Sequence, residues 1–428
     1  MLVHRRGRLQ RRVPSWANPT RVVVYIVLPL ILVFHVLVSF HPIDTQQPTS
    51  PSTTTTSSSK WAYAFLLADC DPTNPYYRGV LYNVLVATYS LKFDDQKSTT
   101  LQSRADIVLW IQMSATSNQD RLPKSEEELL DRMKIQYRYL PKPETTPTFY
   151  QLVLAKFQIL EMTEYTRVLF LDGDVLPMCS LDYLLQLSED GILEETVLHA
   201  MYDDPVNAGL WIATPGKESS TEVKRVIQNQ LNQSWNPQSG WGGTSALSAS
   251  SQSVDFRLWD GRNGSGWNFY CADSDQGLLL YWSRFVRKHV SIIVGDTIEQ
   301  YSGSSSRYKP LSSHDFFAQH SCLPPVTRGS DRRETFAQNY NTKAATLPFY
   351  QDFYHMVGYS KAWERPLRRP VPSEKEQLES SHEYWYFLLR RVVERFDTKQ
   401  IIPPLDQVSY SVGKPKIRGD LFAVANGT

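Results

Sequence analysis

One run of residues restricts the folds open to this chain more than any other: Arg167 to Pro177 reads RVLFLDGDVLP. Its four uninterrupted apolar residues, Val168 to Leu171, suit a strand buried on both faces of a mainly parallel sheet. Asp172 and Asp174 then stand at the carboxyl end of that strand, the edge at which open α/β sheets place their ligands. Gly173 between them tolerates the backbone angles of a sharp exit. Two hard carboxylate donors there can hold a divalent cation, and the cation can neutralise a phosphate-bearing ligand. A solvated Asp-Gly turn explains the same letters, so other parts of the chain must supply the rest of a site.

The surrounding pattern alternates. Strands are expected at 61–68, 105–111, 135–140, 168–171, 197–201 and 207–213, with helices at 76–91, 124–133, 149–162, 181–187, 219–232 and 273–285. This order predicts an α/β domain with a mixed, mainly parallel sheet flanked by helices, spanning residues 61–400 and followed by a tail over 401–428. With 41% hydrophobic and 12% aromatic residues the chain can bury a core of that size. Residues 236–266, rich in Gly, Ser and Trp, read as a long surface insertion; 295–345 are poorly patterned; 353–366 read as a loop and 373–396 as a terminal helix.

Several residues stand out against this frame. The helix at 149–162 has an apolar stripe, Phe149, Leu152, Val153, Phe157 and Leu160, interrupted by Lys156. An ammonium on a core-facing stripe needs a partner or a water-lined cavity, unless it snorkels from the edge. Because that helix leads into the Asp172 strand, Lys156 is expected to face the same site, and Lys156→Met is expected to fold at least as stably by restoring the stripe. Asn207-Ala208-Gly209 reads as a turn of small residues entering a strand, open to close approach by a ligand. Asp273 and Asp275 open a helix, where capping alone would favour acids. His355, Gly358 and Lys361 follow one another at spacings of three. They offer a neutral nitrogen ligand, a close backbone approach to phosphate oxygens and a compact positive charge.

The amino-terminal sequence belongs to a different environment. Residues 22–40 are apolar apart from Tyr25, Pro29, His35 and Ser39, close to the length needed to span a bilayer. Six arginines and no acid precede them, and no Lys or Arg follows until Lys60. The positive-inside rule then gives a single-pass type II arrangement: a cytosolic basic tail over 1–21, a transmembrane signal anchor over 22–40, a Ser/Thr/Pro-rich stem over 41–60 and a lumenal domain. A cleaved signal peptide fits less well, since the run is long and HPIDTQQ lacks small residues for cleavage. Sequons at Asn232, Asn263 and Asn426 agree with a lumenal domain, and four cysteines allow one or two disulfides. The formal net charge of +1 hides an acidic remainder, because six of the 45 basic residues lie in the tail and leave 39 against 44 acidic ones. Nothing in that balance resembles a nucleic-acid-binding surface.

Taken in order, Tyr76-Tyr77-Arg78-Gly79, Lys156, Asp172-Gly173-Asp174, Asn207-Ala208-Gly209, Asp275-Gln276-Gly277 and the segment His355 to Trp363 resemble the motifs of the retaining glycosyltransferases of family 8, to which glycogenin belongs. The resemblance covers roughly 62–363 and departs from the family at Ala362, where a proline is usual, and in the long spacer between Gln276 and His355. It implies a GT-A fold, an Mn2+ or similar divalent cofactor held by Asp172, Asp174 and His355, and a UDP-sugar donor. By the same resemblance Tyr76 would stack on uracil, Gly358 and Lys361 would contact the diphosphate, and Lys156, Asn207, Asp275 and Gln276 would hold the donor sugar and line the reaction centre. A glycan or glycoprotein acceptor and a Golgi or other secretory-pathway membrane follow from the anchor. Two other readings remain open at this point. FLDGDVL is also near the acidic loop of haloacid-dehalogenase-like phosphatases, although that loop normally opens the first strand and does not carry Leu176. An inactive, membrane-anchored sugar-nucleotide or glycan-binding protein on the same fold would share every motif.

Overall fold

The computed structural model describes residues 61–94, 102–147, 149–201, 204–231, 236, 240–241, 267, 269, 271–294, 297–303, 305–309, 353–356, 361–365, 381–398 and 401–412. The expected tail, anchor and stem over 1–60, most of 236–266 and Gly358 lie outside these residues. Among the described residues no helix is long and apolar enough to cross a membrane.

Among the described residues eleven strands form: β1 (Trp61–Cys70), β2 (Asp106–Met113), β3 (Ile135–Tyr139), β4 (Arg167–Leu171), β5 (Val175–Pro177), β6 (Thr196–Met201), β7 (Asp204–Ala213), β8 (His289–Val294), β9 (Thr297–Ser302), β10 (Ser305–Lys309) and β11 (Phe353–His355). Nine form one sheet in the order β10-β9-β8-β6-β7-β4-β1-β2-β3, and β11 pairs with β5 in a second, two-stranded sheet. The expectation of a mainly parallel sheet is only half met. β2-β3, β1-β2, β1-β4 and β6-β8 are parallel, whereas β4-β7, β6-β7, β8-β9 and β9-β10 are antiparallel. The reason is local. β6 ends at Met201 and its neighbour β7 begins at Asp204, too close in sequence for the crossover that parallel neighbours need. Within 295–345, expected to be poorly patterned, β9 and β10 form the sheet edge, with Ile298 and Tyr301 of β9 buried.

The helices are α1 (Tyr77–Lys92), α2 (Lys124–Arg132), α3 (Phe149–Leu154), α4 (Asp182–Glu189), α5 (Lys217–Leu231), α6 (Asp275–Tyr281), α7 (Ser381–Phe396) and α8 (Val408–Ser411). Two expected helices change pitch. The one at 149–162 is α-helical only to Leu154 and continues as a 3-10 segment, Ala155–Glu161, which carries Lys156. The one at 273–285 passes from α6 into a π-helical turn, Trp282–Arg287. α1 is buried almost all round, including Asn83, Thr88 and Ser90, because it lies between the sheet and α7. Phe93 and Phe396 meet edge to face at 5.1 Å where those two helices end, and Arg395 donates to the Phe93 carbonyl at 2.8 Å. Packing continues past residue 400: Ile401, Ile402, Val408 and Val412 belong to the main core, and Tyr82 of α1 donates to the Ile401 carbonyl at 2.9 Å.

This topology creates one crevice. From β1 the chain builds outward through β2 to β3 on one side, and β4 is added on the other side, so the strand order reverses between β1 and β4. Both strands run in the same direction. Their carboxyl ends therefore flank the point at which sheets of this kind open towards a ligand.

Candidate active site

Asp172 follows β4 directly, and its amide donates to the Gly209 carbonyl at 2.8 Å, which fixes the loop against β7. Beyond Gly173 the chain turns into β5, whose antiparallel partner is β11, with His355 opposite Val175 and Tyr354 opposite Leu176. The amide of Met356 donates to the Asp174 carbonyl at 2.9 Å. The segment expected as a loop at 353–366 is thus partly a strand, and pairing is what carries His355 to the acidic turn. His355 Nε2 lies 3.1 Å from Asp174 Oδ1. Asp172, Asp174 and His355 each offer a ligand atom, all within 4.8 Å of one another.

A second cluster adjoins the first. Lys156 is only 3% exposed, and its Nζ donates to Asp172 Oδ1 at 2.9 Å and to Asp275 Oδ2 at 2.6 Å. It therefore does not snorkel: the carboxylates the sequence placed far apart close around it. Burial alone would lower its pKa, but Asp172 and Asp275 outweigh burial and raise it, so the ammonium stays charged. Asp275 is held at both oxygens, since Ser274 Oγ donates to its Oδ1 at 3.0 Å. Burial pushes Asp172 up, and its neighbours Asp174 and Asp275 push the same way against Lys156 and His355. Burial would raise Asp174 too, yet the His355 hydrogen bond and Lys361, whose Nζ is 3.4 Å from Oδ2, hold it down at about 2.

The remaining candidates divide. Asn207 lies inside β7 rather than at a turn, at an irregularity where β6 jumps from opposite Trp211 to opposite Asn207. Its Oδ1 accepts from its own strand at Gly209 N, 2.9 Å away. Gly209 is required there, because a Cβ would fall 2.5 Å from His355 Cε1. Gln276 is buried beside Asp275 at the start of α6, and a Cβ on Gly277 would collide with the Ala272 carbonyl oxygen. Tyr76 precedes α1 and donates through its hydroxyl to Glu364 Oε1 at 3.0 Å, three residues past Lys361. Burial and then Glu364 raise the Tyr76 hydroxyl pKa.

Four contributors are invisible to motif reading. Glu364 holds Tyr76. Asn83 and Trp385 brace the acidic turn from α1 and α7. His199 is buried edge to face against Phe353 at 5.1 Å, and burial, helped by His355, lowers it to about 3, so it is neutral at physiological pH. The only sequence signal for any of them is a buried amide in an otherwise apolar helix, which marks Asn83. Cys179 is disulfide-bonded, while Cys70 is a buried thiol.

The donor set suits a hard or borderline divalent cation: two carboxylates and one imidazole. Three carboxylates, Asp172, Asp174 and Asp275, stand against two ammonium groups, Lys156 and Lys361, which leaves a single negative charge. A divalent ion would turn that into a positive site for an anionic ligand.

No curated protein matches the sequence. Among solved structures the chain is similar to the glycosyltransferase GlyE of Streptococcus pneumoniae TIGR4, at 13% identity and a TM-score of 0.37 over 80% of this chain, and it spans 64% of the length of GlyE. It is also similar to the galactosyltransferase LgtC, in complex with donor and acceptor sugar analogs, at 13% identity and a TM-score of 0.34 over 77% of this chain and 95% of that one. Likenesses this remote carry no argument about activity. Residues 77–239, from the start of α1 through β4, Asp172, Asp174 and β7, match the family model described as Glycosyl transferase family 8.

Proposed function

We propose that this chain is a metal-dependent, retaining glycosyltransferase that moves a hexose or related sugar from a UDP-sugar to a glycan or glycoprotein acceptor. The observation that carries the reading is the meeting of Asp172, Asp174 and His355 within 4.8 Å, with Asp172 shared by the buried Lys156. Asp172, Asp174 and His355 would hold Mn2+ or another divalent ion, which when bound supplies positive charge against the departing diphosphate. Lys361 adds a positive charge at the Asp174 oxygen that His355 does not contact. Tyr76, just before α1 and held by Glu364, offers a flat face for a base.

Lys156 is not a proton donor in this reading, because its raised pKa keeps it an ammonium. It fixes Asp172 and Asp275 and brings their carboxylates to the reaction centre already oriented, so that little reorganisation is needed. Asp275, bound at one oxygen by an ammonium and at the other by a hydroxyl, is a weakened nucleophile. Its suited role is a fixed negative charge beside a sugar ring that becomes cationic as its bond to the diphosphate breaks, with the acceptor hydroxyl entering on the face the diphosphate leaves and passing its proton to a departing phosphate oxygen. Gln276 and Asn207 would hold the sugar.

We also assign the chain to a Golgi or other secretory membrane as a type II protein. The arginine-flanked apolar segment over 22–40 and the bonded state of Cys179 support this, since disulfides persist in oxidising compartments. Protease treatment of sealed microsomes should spare residues beyond about 41; digestion of the domain would overturn the topology. The activity is tested by incubating the full chain with a panel of UDP-sugars and following UDP release with Mn2+ and with chelator. Release from one or a few UDP-sugars that stops with chelator is expected. No release from any sugar nucleotide alongside turnover of p-nitrophenyl phosphate would favour a phosphatase instead.

A further inference from the structure

The acidic turn is gripped from behind by one side chain. Asn83 of α1 is fully buried, and its Nδ2 donates to the carbonyls of Gly173 at 3.1 Å and Val175 at 3.0 Å, the residues on either side of Asp174. Its Oδ1 accepts from the indole Nε1 of Trp385, on α7, at 2.9 Å. An indole only donates and a carbonyl only accepts, so the amide has a single possible orientation, with both amino hydrogens and the oxygen engaged. Trp385 is itself fully buried, and its ring packs 6.0 Å from that of Trp363, two residues past Lys361. A Cβ on Gly79 would fall 2.1 Å from the Trp363 ring, so α1 meets that indole with no side chain between.

We infer that Trp385 and Asn83 are positioning residues for the candidate metal site, which makes α7 a working part of that site and not only a packing element. The indole fixes the amide, and the amide fixes the two carbonyls between which the Asp174 backbone hangs. The carboxylate of Asp174 is set in place by this relay on one side and by β11 on the other. Outer partners of this kind orient metal ligands and tune affinity. The inference rests on the proposed metal site, and its test separates the two.

The test is Mn2+ binding by the full chain without any sugar nucleotide, read from the electron paramagnetic resonance of the free ion, together with thermal melting. Trp385→Phe keeps an aromatic ring, smaller than the indole, and removes the donor; Asn83→Leu removes the amide. Each is expected to weaken Mn2+ binding about tenfold, and the double variant to be no weaker than Asn83→Leu, because the indole acts through the amide. Leu389→Ala, in the buried face of the same helix, is expected to lower the melting temperature without changing Mn2+ affinity. Wild-type affinity in Trp385→Phe, with Asp174→Asn impaired, overturns the inference and leaves the metal site standing. An equal loss of affinity in Leu389→Ala also overturns it, as a general effect of loosening α7. Wild-type affinity in Asp174→Asn means the metal site itself is misread, and the inference falls with it. Should Asn83→Leu fail to fold, Trp385→Phe against Leu389→Ala decides alone.

Discussion

Replacing Lys156 with methionine is the perturbation whose outcome the structure reverses. On the sequence alone it repairs an apolar stripe and ought to stabilise. In the fold the ammonium is 3% exposed and lies 2.9 Å from Asp172 Oδ1 and 2.6 Å from Asp275 Oδ2. Methionine fills much the same volume but leaves two carboxylates facing one another across a buried gap. Removing one member of a buried ion pair costs about 3–5 kcal/mol. The Asp172 side chain is 30% exposed, so water recovers part of its share, and about 3 kcal/mol is expected. Because the folded pKa of Lys156 lies above its unfolded value, its contribution is fully present below the ordinary lysine range and is lost only as pH rises through the raised folded value. Neutral pH therefore displays the whole penalty. On acidification the two orphaned carboxylates can take up protons, so the deficit should shrink. The assay is urea unfolding of the full chain with chelator present, at neutral and at mildly acidic pH. A variant as stable as wild type at neutral pH, or a deficit that grows on acidification, would refute the argument.

Three further outcomes follow from single contacts. His199→Leu should flatten the acid limb of stability: the folded pKa of about 3 lies below the ordinary 6.5, so wild type loses stability as pH falls from 6.5 towards 3, at up to about 1.4 kcal/mol per pH unit, and an unchanged slope in urea titrations across that window contradicts it. Glu364→Ala should weaken UDP binding by roughly 1 kcal/mol through loss of the Tyr76 hydrogen bond, leaving Mn2+ binding in the absence of nucleotide unchanged, as titration calorimetry can check. Gly79→Ala should cost about 1–3 kcal/mol, because the new Cβ would fall 2.1 Å from a fully buried Trp363 ring; a melting temperature equal to wild type would mean the two indoles can shift freely.

Much of the sheet and half of the candidate site could be read from the chain. The apolar runs at β1, β2 and β4 are continuous enough to locate strands, and Lys156 betrays itself by breaking a stripe. The antiparallel half of the sheet was less legible, because direction depends on link length, and the Tyr202-Asp203 sequence between β6 and β7 carries no turn signature of Gly or Asn. Strand β11 was hidden for another reason: three residues show no period, and their pairing with β5 is a contact across nearly two hundred residues of sequence. The same holds for Glu364 and Trp385. Their roles exist only through partners, Tyr76 and Asn83, that are 288 and 302 residues away. A motif lists the groups that touch a ligand, while the groups that hold those groups are fixed by packing.

The central claim is that Asp174 and His355 serve one divalent ion together with a UDP-sugar, and a double-mutant cycle on UDP binding tests it most directly. Titration calorimetry would compare wild type, Asp174→Asn, His355→Ala and the double variant, each with Mn2+ and with chelator. Each single change is expected to weaken Mn2+-dependent UDP binding by one to two orders of magnitude, about 1.4–2.8 kcal/mol, and the double variant to be little worse than the worse single, because both remove the same ion. Fully additive losses, or wild-type UDP and Mn2+ binding in His355→Ala, would contradict the account.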